Sequence, residues 1–117
     1  MKKIREIKDK IKKMKLVVIV EGKRDKKAVS NLGFKRIITI DGKPIFKILD
    51  LLKPKDHVLI LTDFDREGKK KAKKLRSLLA RRRIKIEEQL RRDFSRFFRI
   101  KKIEELNSLF KEASILL

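Results

Sequence analysis

The chain has 117 residues, 44% of them charged and 41% hydrophobic, with a formal net charge of +20. It contains no Cys, Trp or Tyr and one His, which excludes disulfides, thiolate metal sites and Cys or Tyr nucleophiles and leaves Asp, Glu, Lys, Arg, Ser and Thr as its chemical repertoire. So large a positive excess points to a polyanionic partner, most often nucleic acid.

The opening residues MKKIREIKDK hold no apolar signal core, and no apolar run is long enough to cross a bilayer, so a cytoplasmic location away from membranes is expected. Ile4, Ile7, Ile11 and Met14 recur at helical spacing, which predicts an amphipathic basic helix over residues 2–14. LVVIV (Leu16–Val20) is a continuous, largely β-branched run suited to a strand buried on both faces. EGKRD (Glu21–Asp25) reads as a turn, followed by a helix from Asp25 to Leu32 that Gly33 ends. Residues 36–40, RIITI, form a second strand closed by Asp41-Gly42, and Pro44 suits the first turn of the helix IFKILDLL. HVLILT (57–62) is a third buried strand, with His57 as an edge or boundary residue and no ligand.

LTDFDREG follows. From Arg66, the residues Gly68, Ala72, Leu75 and Leu79 share one helical face, and lysines and arginines fill the rest. IKI (84–86) is a short fourth strand. Leu90, Phe94, Phe97 and Phe98 mark an amphipathic helix whose phenylalanines have core spacing, and Ile103, Leu106, Phe110 and Ala113 mark the last helix. Strands alternating with helices predict an α/β fold with a parallel sheet. The expected organisation is a single domain (1–117): an N-terminal basic helix (1–15), a core (16–86) and C-terminal helices (87–117). The Lys/Glu-rich, Cys-free composition fits a thermophile.

The charge is uneven. Residues 1–15 carry 8 basic and 2 acidic side chains and residues 66–85 carry 11 and 1, whereas residues 44–65 carry 3 and 4. The acidic motif therefore lies between two strongly basic segments.

In parallel sheets ligands gather at the carboxyl ends of strands. Glu21 follows the first strand; Asp63 and Asp65 follow the third. Alternate residues of an extended segment point the same way, so Asp63 and Asp65 can face one ion while Phe64 turns into packing. An oxygen-only carboxylate set suits Mg²⁺, and the ion converts the carboxylates' repulsion of phosphate into attraction. Glu21 is a third ligand or the general acid/base, with a pKa expected to rise beside two other carboxylates. Asp25 stands ready to support a ligand or a second ion, and Lys23, Arg24 and Arg66 to meet phosphate oxygens. Singly, Asp65 is also a helix N-cap, Asp63 a turn residue and Glu21-Gly22 a strand exit. The ordered combination, strand-EG-x-x-D and then strand-D-x-D-x-x-G-helix, is what makes a site of them.

This combination resembles the Toprim domain shared by topoisomerases, bacterial-type primases and certain nucleases. VVIVEGKRD resembles its first motif, with Glu21 at the glutamate and Gly22 beside it. IDGKP resembles the glycine-bearing turn at Gly42, and LTDFDREG the D-x-D-x-x-G motif at Asp63, Asp65 and Gly68. The resemblance covers about residues 15–86 and implies a three-layer fold of about four parallel strands with helices on both faces. It also implies Mg²⁺ (or Mn²⁺) held by the aspartates, Glu21 as general acid/base, and phosphodiester chemistry. Topoisomerases need a Tyr; primases of this type and the Toprim recombination mediators need Cys zinc sites; the ATP-dependent Toprim nucleases need an ATPase domain. None of these is in the sequence. Small stand-alone Toprim proteins remain, with the ribonuclease that matures 5S ribosomal RNA, whose E-G-x-x-D Glu21 and Asp25 match.

The expected activity is thus a Mg²⁺-dependent nuclease acting on structured RNA in preference to DNA, with Lys69, Lys70 and Lys73 on the basic helix holding flanking phosphates. The alternatives are a non-catalytic nucleic-acid or ribonucleoprotein binding module, or the Toprim subunit of a topoisomerase- or primase-like complex whose protein partner supplies the missing Tyr. The oligomeric state is left open.

Overall fold

A computed structural model describes residues 2–116, with side chains for residues 3–111. Four strands, β1 (Leu16–Val20), β2 (Arg36–Thr39), β3 (His57–Leu61) and β4 (Lys85–Glu87), form one parallel sheet in the order β2-β1-β3-β4. The helices are α1 (Lys2–Met14), α2 (Lys23–Val29), α3 (Ile45–Asp50), α4 (Arg66–Arg81), α5 (Gln89–Phe98) and α6 (Leu106–Leu116), with a 3₁₀ turn at Ile103–Glu105.

The two central strands have no polar face because both of their faces are covered. Leu16, Val18 and Val20 of β1 join Leu59 and Leu61 of β3 in a cluster closed by Ile7 and Ile11 of α1, Ala28 and Val29 of α2, Leu90 and Phe94 of α5, and Ile103. Val17, Ile19, Val58 and Ile60 point the other way, onto Ile48 and Leu49 of α3 and Ala72, Leu75 and Leu79 of α4. This is the three-layer α/β arrangement, and period-2 side-chain alternation produces it directly from LVVIV and HVLIL. Burying one such aliphatic side chain contributes roughly 1.5–3 kcal/mol.

Several boundaries differ from the sequence reading. α2 begins at Lys23 and ends at Val29, so Asp25 lies in its first turn, where its Oδ2 accepts the Gly22 N–H at 3.1 Å. A carboxylate there satisfies one of the amides a helix start leaves open. Pro44 stands just before α3, as its N-cap. β4 is shifted one residue, to Lys85–Glu87. His57 opens an interior strand. Met14 and Phe97 are 38% and 39% exposed, so the apolar stripe of α1 ends at Ile11 and Phe97 sits at the rim of the Phe94–Phe98–Phe110 ring cluster. The side chain of Ala113 lies outside the described residues.

Away from the carboxyl edge, Asp56 is buried at 4% exposure. Arg36 donates to both its oxygens at 3.2 and 2.7 Å, and the Lys53 N–H donates at 2.7 Å. The same guanidinium reaches the Leu51 carbonyl at 2.8 Å, tying β2 to the exit of α3.

Candidate functional site

The pairing of β1 with β3 sets Val20 beside Leu61, so the next residues, Glu21 and Thr62-Asp63, leave the sheet side by side. Glu21 Oε2 accepts the Asp63 N–H at 2.8 Å, a bond across 42 residues that fixes the first-strand carboxylate against the aspartate loop. Glu21 Oε1 accepts from Lys71 Nζ at 2.5 Å. Asp63 Oδ1 accepts the Ile103 N–H at 2.8 Å, and the Phe64 N–H donates to the Lys101 carbonyl at 2.6 Å. Phe64 is packed in the core, as the alternation requires.

Asp65 caps α4, its Oδ1 accepting the Gly68 N–H at 2.8 Å. The capping alternative read from sequence therefore holds for this residue together with its place in the motif. Gly68 is needed for space: a Cβ there would lie 2.0 Å from the Asp63 carbonyl oxygen. The buried Thr62 Oγ1 donates to the Gly68 carbonyl at 2.6 Å, so strand end, loop and helix start form one knot. Gly42 has φ +74, the left-handed turn conformation glycine tolerates best. Gly22 has an extended backbone with φ −150 and open space around it, so no local steric demand explains it.

The electrostatics differ from expectation in one respect. Burial works to raise the pKa of Glu21, but the Lys71 ammonium and the Asp63 amide outweigh it and hold the carboxyl below its ordinary value. Asp63 is the group that rises, to about 6, through burial and then repulsion from Glu21, Asp25 and Asp65, opposed by the Ile103 amide. Crowding of carboxylates raises one member of the set, and Lys71 decides that it is not Glu21. Asp25 is also raised, by burial and then by Glu21 and Glu104.

Two side chains that sequence reasoning passed over hold this edge together. Lys71 lies one turn beyond Gly68, over the site; helix phase was the available signal. Arg91 of α5 is 8% exposed and sits one residue past Leu90 and three before Phe94, an arginine on a core-facing stripe. Its guanidinium donates to the carbonyls of Ile60 (3.1 Å), Thr62 (2.9 Å) and Asp63 (3.2 Å) and lies 4.9 Å from the Phe64 ring centroid. It thus satisfies the acceptors that β3 exposes where its ladder ends.

The predicted residues fall in four places. Glu21, Gly22, Lys23, Arg24 and Asp25 line a groove of about 450 Å³ with Asp41 and Glu104. Lys70 and Lys73 line a separate groove along α4, and Lys69 lines a cleft shared with α5. Arg66 is exposed at the first turn of α4.

The donor set, Glu21 with Asp63 and Asp65, is all oxygen, and Asp63 carries surplus negative repulsion, which is the chemistry a hard divalent cation relieves. As the side chains stand, each carboxylate has at least one oxygen on a protein donor. Among the described residues no group of three or more His, Cys, Asp or Glu side chains is gathered closely enough to hold an ion. The residues fit the ion by the chemistry of their donors.

Comparison with known proteins gives a consistent picture. The Toprim domain family model matches residues 16–89. A UPF0292 protein of Thermococcus gammatolerans is 37% identical over 112 residues, covering 93% of this chain and 84% of the relative. A UPF0292 protein of Methanocaldococcus jannaschii is 36% identical over 96 residues, covering 80% and 74%. A solved structure of a protein from Aquifex aeolicus superposes with a TM-score of 0.73 at 34% identity, covering 86% of this chain and 95% of that one.

Proposed function

The chain belongs to the Toprim domain family, whose members carry out metal-dependent processing of nucleic acid, and from that premise we propose that it is a Mg²⁺-dependent nuclease acting on structured RNA in preference to DNA. The single observation that carries the reading is the 2.8 Å bond from the Asp63 N–H to Glu21, which joins the two motifs into one carboxylate site. Asp63 and Asp65 are the residues that would hold the ion, and Mg²⁺ or Mn²⁺ held there would supply positive charge beside the reacting phosphate. Glu21, kept ionised by Lys71, is suited to take the proton of an attacking water as its oxygen bonds to phosphorus and the bond to the leaving oxygen breaks. Arg66, Lys69, Lys70 and Lys73, with Lys23 and Arg24 near Glu21, hold neighbouring phosphates. A cytoplasmic setting fits a chain in which no described helix is long and apolar enough to cross a membrane. The test is incubation of ribosomal RNA precursors and of DNA with Mg²⁺ or Mn²⁺. Metal-dependent cleavage of RNA that disappears in Glu21→Gln and Asp63→Asn is expected; cleavage that survives both substitutions sinks the reading.

One observation favours a second reading. The carboxylates are already bonded to protein donors and, among the described residues, no ion-holding group of three is gathered, which suits a module that binds nucleic acid or ribonucleoprotein without cutting, alone or beside a partner chain. That reading predicts tight binding that weakens steeply with salt and is indifferent to chelator.

A further inference from the structure

Between α4 and α5 lies a cleft of about 470 Å³, lined by Phe64, Lys69, Arg76, Arg91, Arg92 and Ser95. Its volume falls within the roughly 300–1,000 Å³ of small-molecule sites, enough for one nucleotide. Four cations face it. Glu88, which also lines it, is bonded to Arg76. Lys69, Arg91 and Arg92 have no ion-pair partner among the described residues. Arg91 is 8% exposed and held in place by three main-chain carbonyls. Burial and then repulsion from Arg76 lower its pKa, opposed by Glu88, Glu21 and Asp63, and Glu88 offsets part of the positive potential of the cleft. An arginine nonetheless stays protonated, so the cleft keeps that potential.

The cleft also shares a wall with the carboxylate site. Phe64, between Asp63 and Asp65, forms part of its lining, and the Asp63 carbonyl is one of the groups Arg91 holds. Two guanidiniums, an ammonium and a hydroxyl converging on a nucleotide-sized space suit phosphate oxygens, which guanidinium forks match in geometry. Arg91 already lies over the Phe64 ring, which favours contacts to phosphate over base stacking on that face.

We propose that the α4–α5 cleft is a phosphate-binding subsite that holds a nucleotide of a nucleic-acid strand next to the one at the carboxylates. Lys69 and Arg92 are the exposed contacts, and Arg91 is the buried anchor. The proposal rests on the reading that the chain engages nucleic acid, and it adds the helix after the family-matched segment to the binding surface.

The test is metal-free binding, so that loss of cleavage plays no part in it. Fluorescence anisotropy follows a short fluorescein-labelled single-stranded RNA in EDTA across a salt series. Three proteins are compared: wild type, Lys69→Gln with Arg92→Gln, and Lys10→Gln with Lys13→Gln on α1 as a control of equal charge change. All four residues are exposed, so the variants are expected to fold; thermal melts confirm it. Two lost phosphate contacts reduce the salt slope by about 1.4 for a single strand. An affinity loss of about 10-fold or more in the cleft variant, with a much smaller loss in the control, supports the subsite. Equal losses in the two variants, or wild-type affinity in the cleft variant, overturn the subsite and leave the nucleic-acid reading intact. Absence of binding by the wild type to both this strand and a structured RNA hairpin overturns both.

Discussion

Gly68→Ala isolates the contact on which the aspartate loop is built. An added Cβ would lie 2.0 Å from the Asp63 oxygen, 2.5 Å from its carbonyl carbon and 2.8 Å from its Cα. Non-bonded carbon atoms prefer about 3.5–4.0 Å, so loop and helix start have to separate by an ångström or more. Forcing a methyl into packed structure costs about 1–3 kcal/mol. Separation also strains the bond from the Gly68 N–H to Asp65 and that from Thr62 to the Gly68 carbonyl; the cap alone contributes ~1 kcal/mol. Against this, alanine restricts the unfolded chain by about 0.4–1 kcal/mol relative to glycine. The balance is a destabilisation of about 2–3 kcal/mol. Gly22→Ala is the internal control, because its Cβ meets nothing within 4 Å and its φ of −150 suits any residue; a change within about 0.5 kcal/mol is expected. Urea unfolding at neutral pH reads both from the midpoint. Gly68→Ala as stable as wild type, with an unchanged slope, would refute the close approach and with it the account of the D-x-D-x-x-G spacing.

Asp56→Ala leaves Arg36 without its carboxylate and the Lys53 amide without its acceptor; with Arg36 29% exposed and able to rehydrate, a loss of about 2–3 kcal/mol is expected, toward the lower end for breaking a buried pair. Arg36 and the Lys53 amide hold the Asp56 pKa below its ordinary value against the pull of burial, so this stability is present above the unfolded pKa of about 3.9 and is lost as pH falls through the folded one; wild-type urea midpoints that stay flat on acidification while Asp56→Ala behaves identically would count against it. Arg91→Lys, which cannot fork to three carbonyls, is expected to unfold at lower urea by about 2–4 kcal/mol, and a near-neutral result would show that water satisfies the end of β3. For Asp63 the sign is reversed: a folded pKa raised to about 6 means the folded state holds its proton more tightly, so Asp63's contribution is present at acid pH and is lost as pH rises through about 6. Asp63→Asn, which keeps an oxygen for the Ile103 amide, should therefore gain stability over wild type progressively as pH rises from the unfolded pKa of about 3.9 to the folded one of about 6; a gain that is independent of pH would show that Asp63 is not crowded.

The sequence carried the fold because its strongest signals are local and agree with one another. LVVIV and HVLIL have no polar face, so they belong inside a covered sheet, and the Ala72-Leu75-Leu79 stripe belongs to one helix. One boundary that slipped lies where a side chain bonds to backbone: Asp25 sits inside the first turn of α2, where its oxygen accepts the Gly22 amide. The meeting of Glu21 with the aspartate loop was legible from the strand-end positions, since parallel neighbours expose their carboxyl ends together. The pKa order was not legible. It turns on Lys71, one lysine among many on α4, and only the helix phase relative to Glu21 distinguishes it.

The C-terminal segment shows why motifs alone under-describe the site. The Ile103 amide, the Lys101 carbonyl and the Arg91 guanidinium all act on residues 60–64 from beyond the carboxyl end of the family match. Two of the three are main-chain groups, which any residue type can supply, so no residue pattern announces them. Their effect on Asp63 is specific. Arg91 and the Lys101 carbonyl fix its backbone and that of Phe64, while the Ile103 amide takes one carboxylate oxygen and opposes the rise in its pKa. The Asp63 carboxylate is thus positioned from the C-terminal side, and its neighbour Glu21 is positioned from α4 by Lys71. The carboxylate pair in a chain of +20 is therefore no isolated acidic patch. Asp63 is held by the Ile103 amide of the 3₁₀ turn, and Glu21 by Lys71 of the basic helix α4.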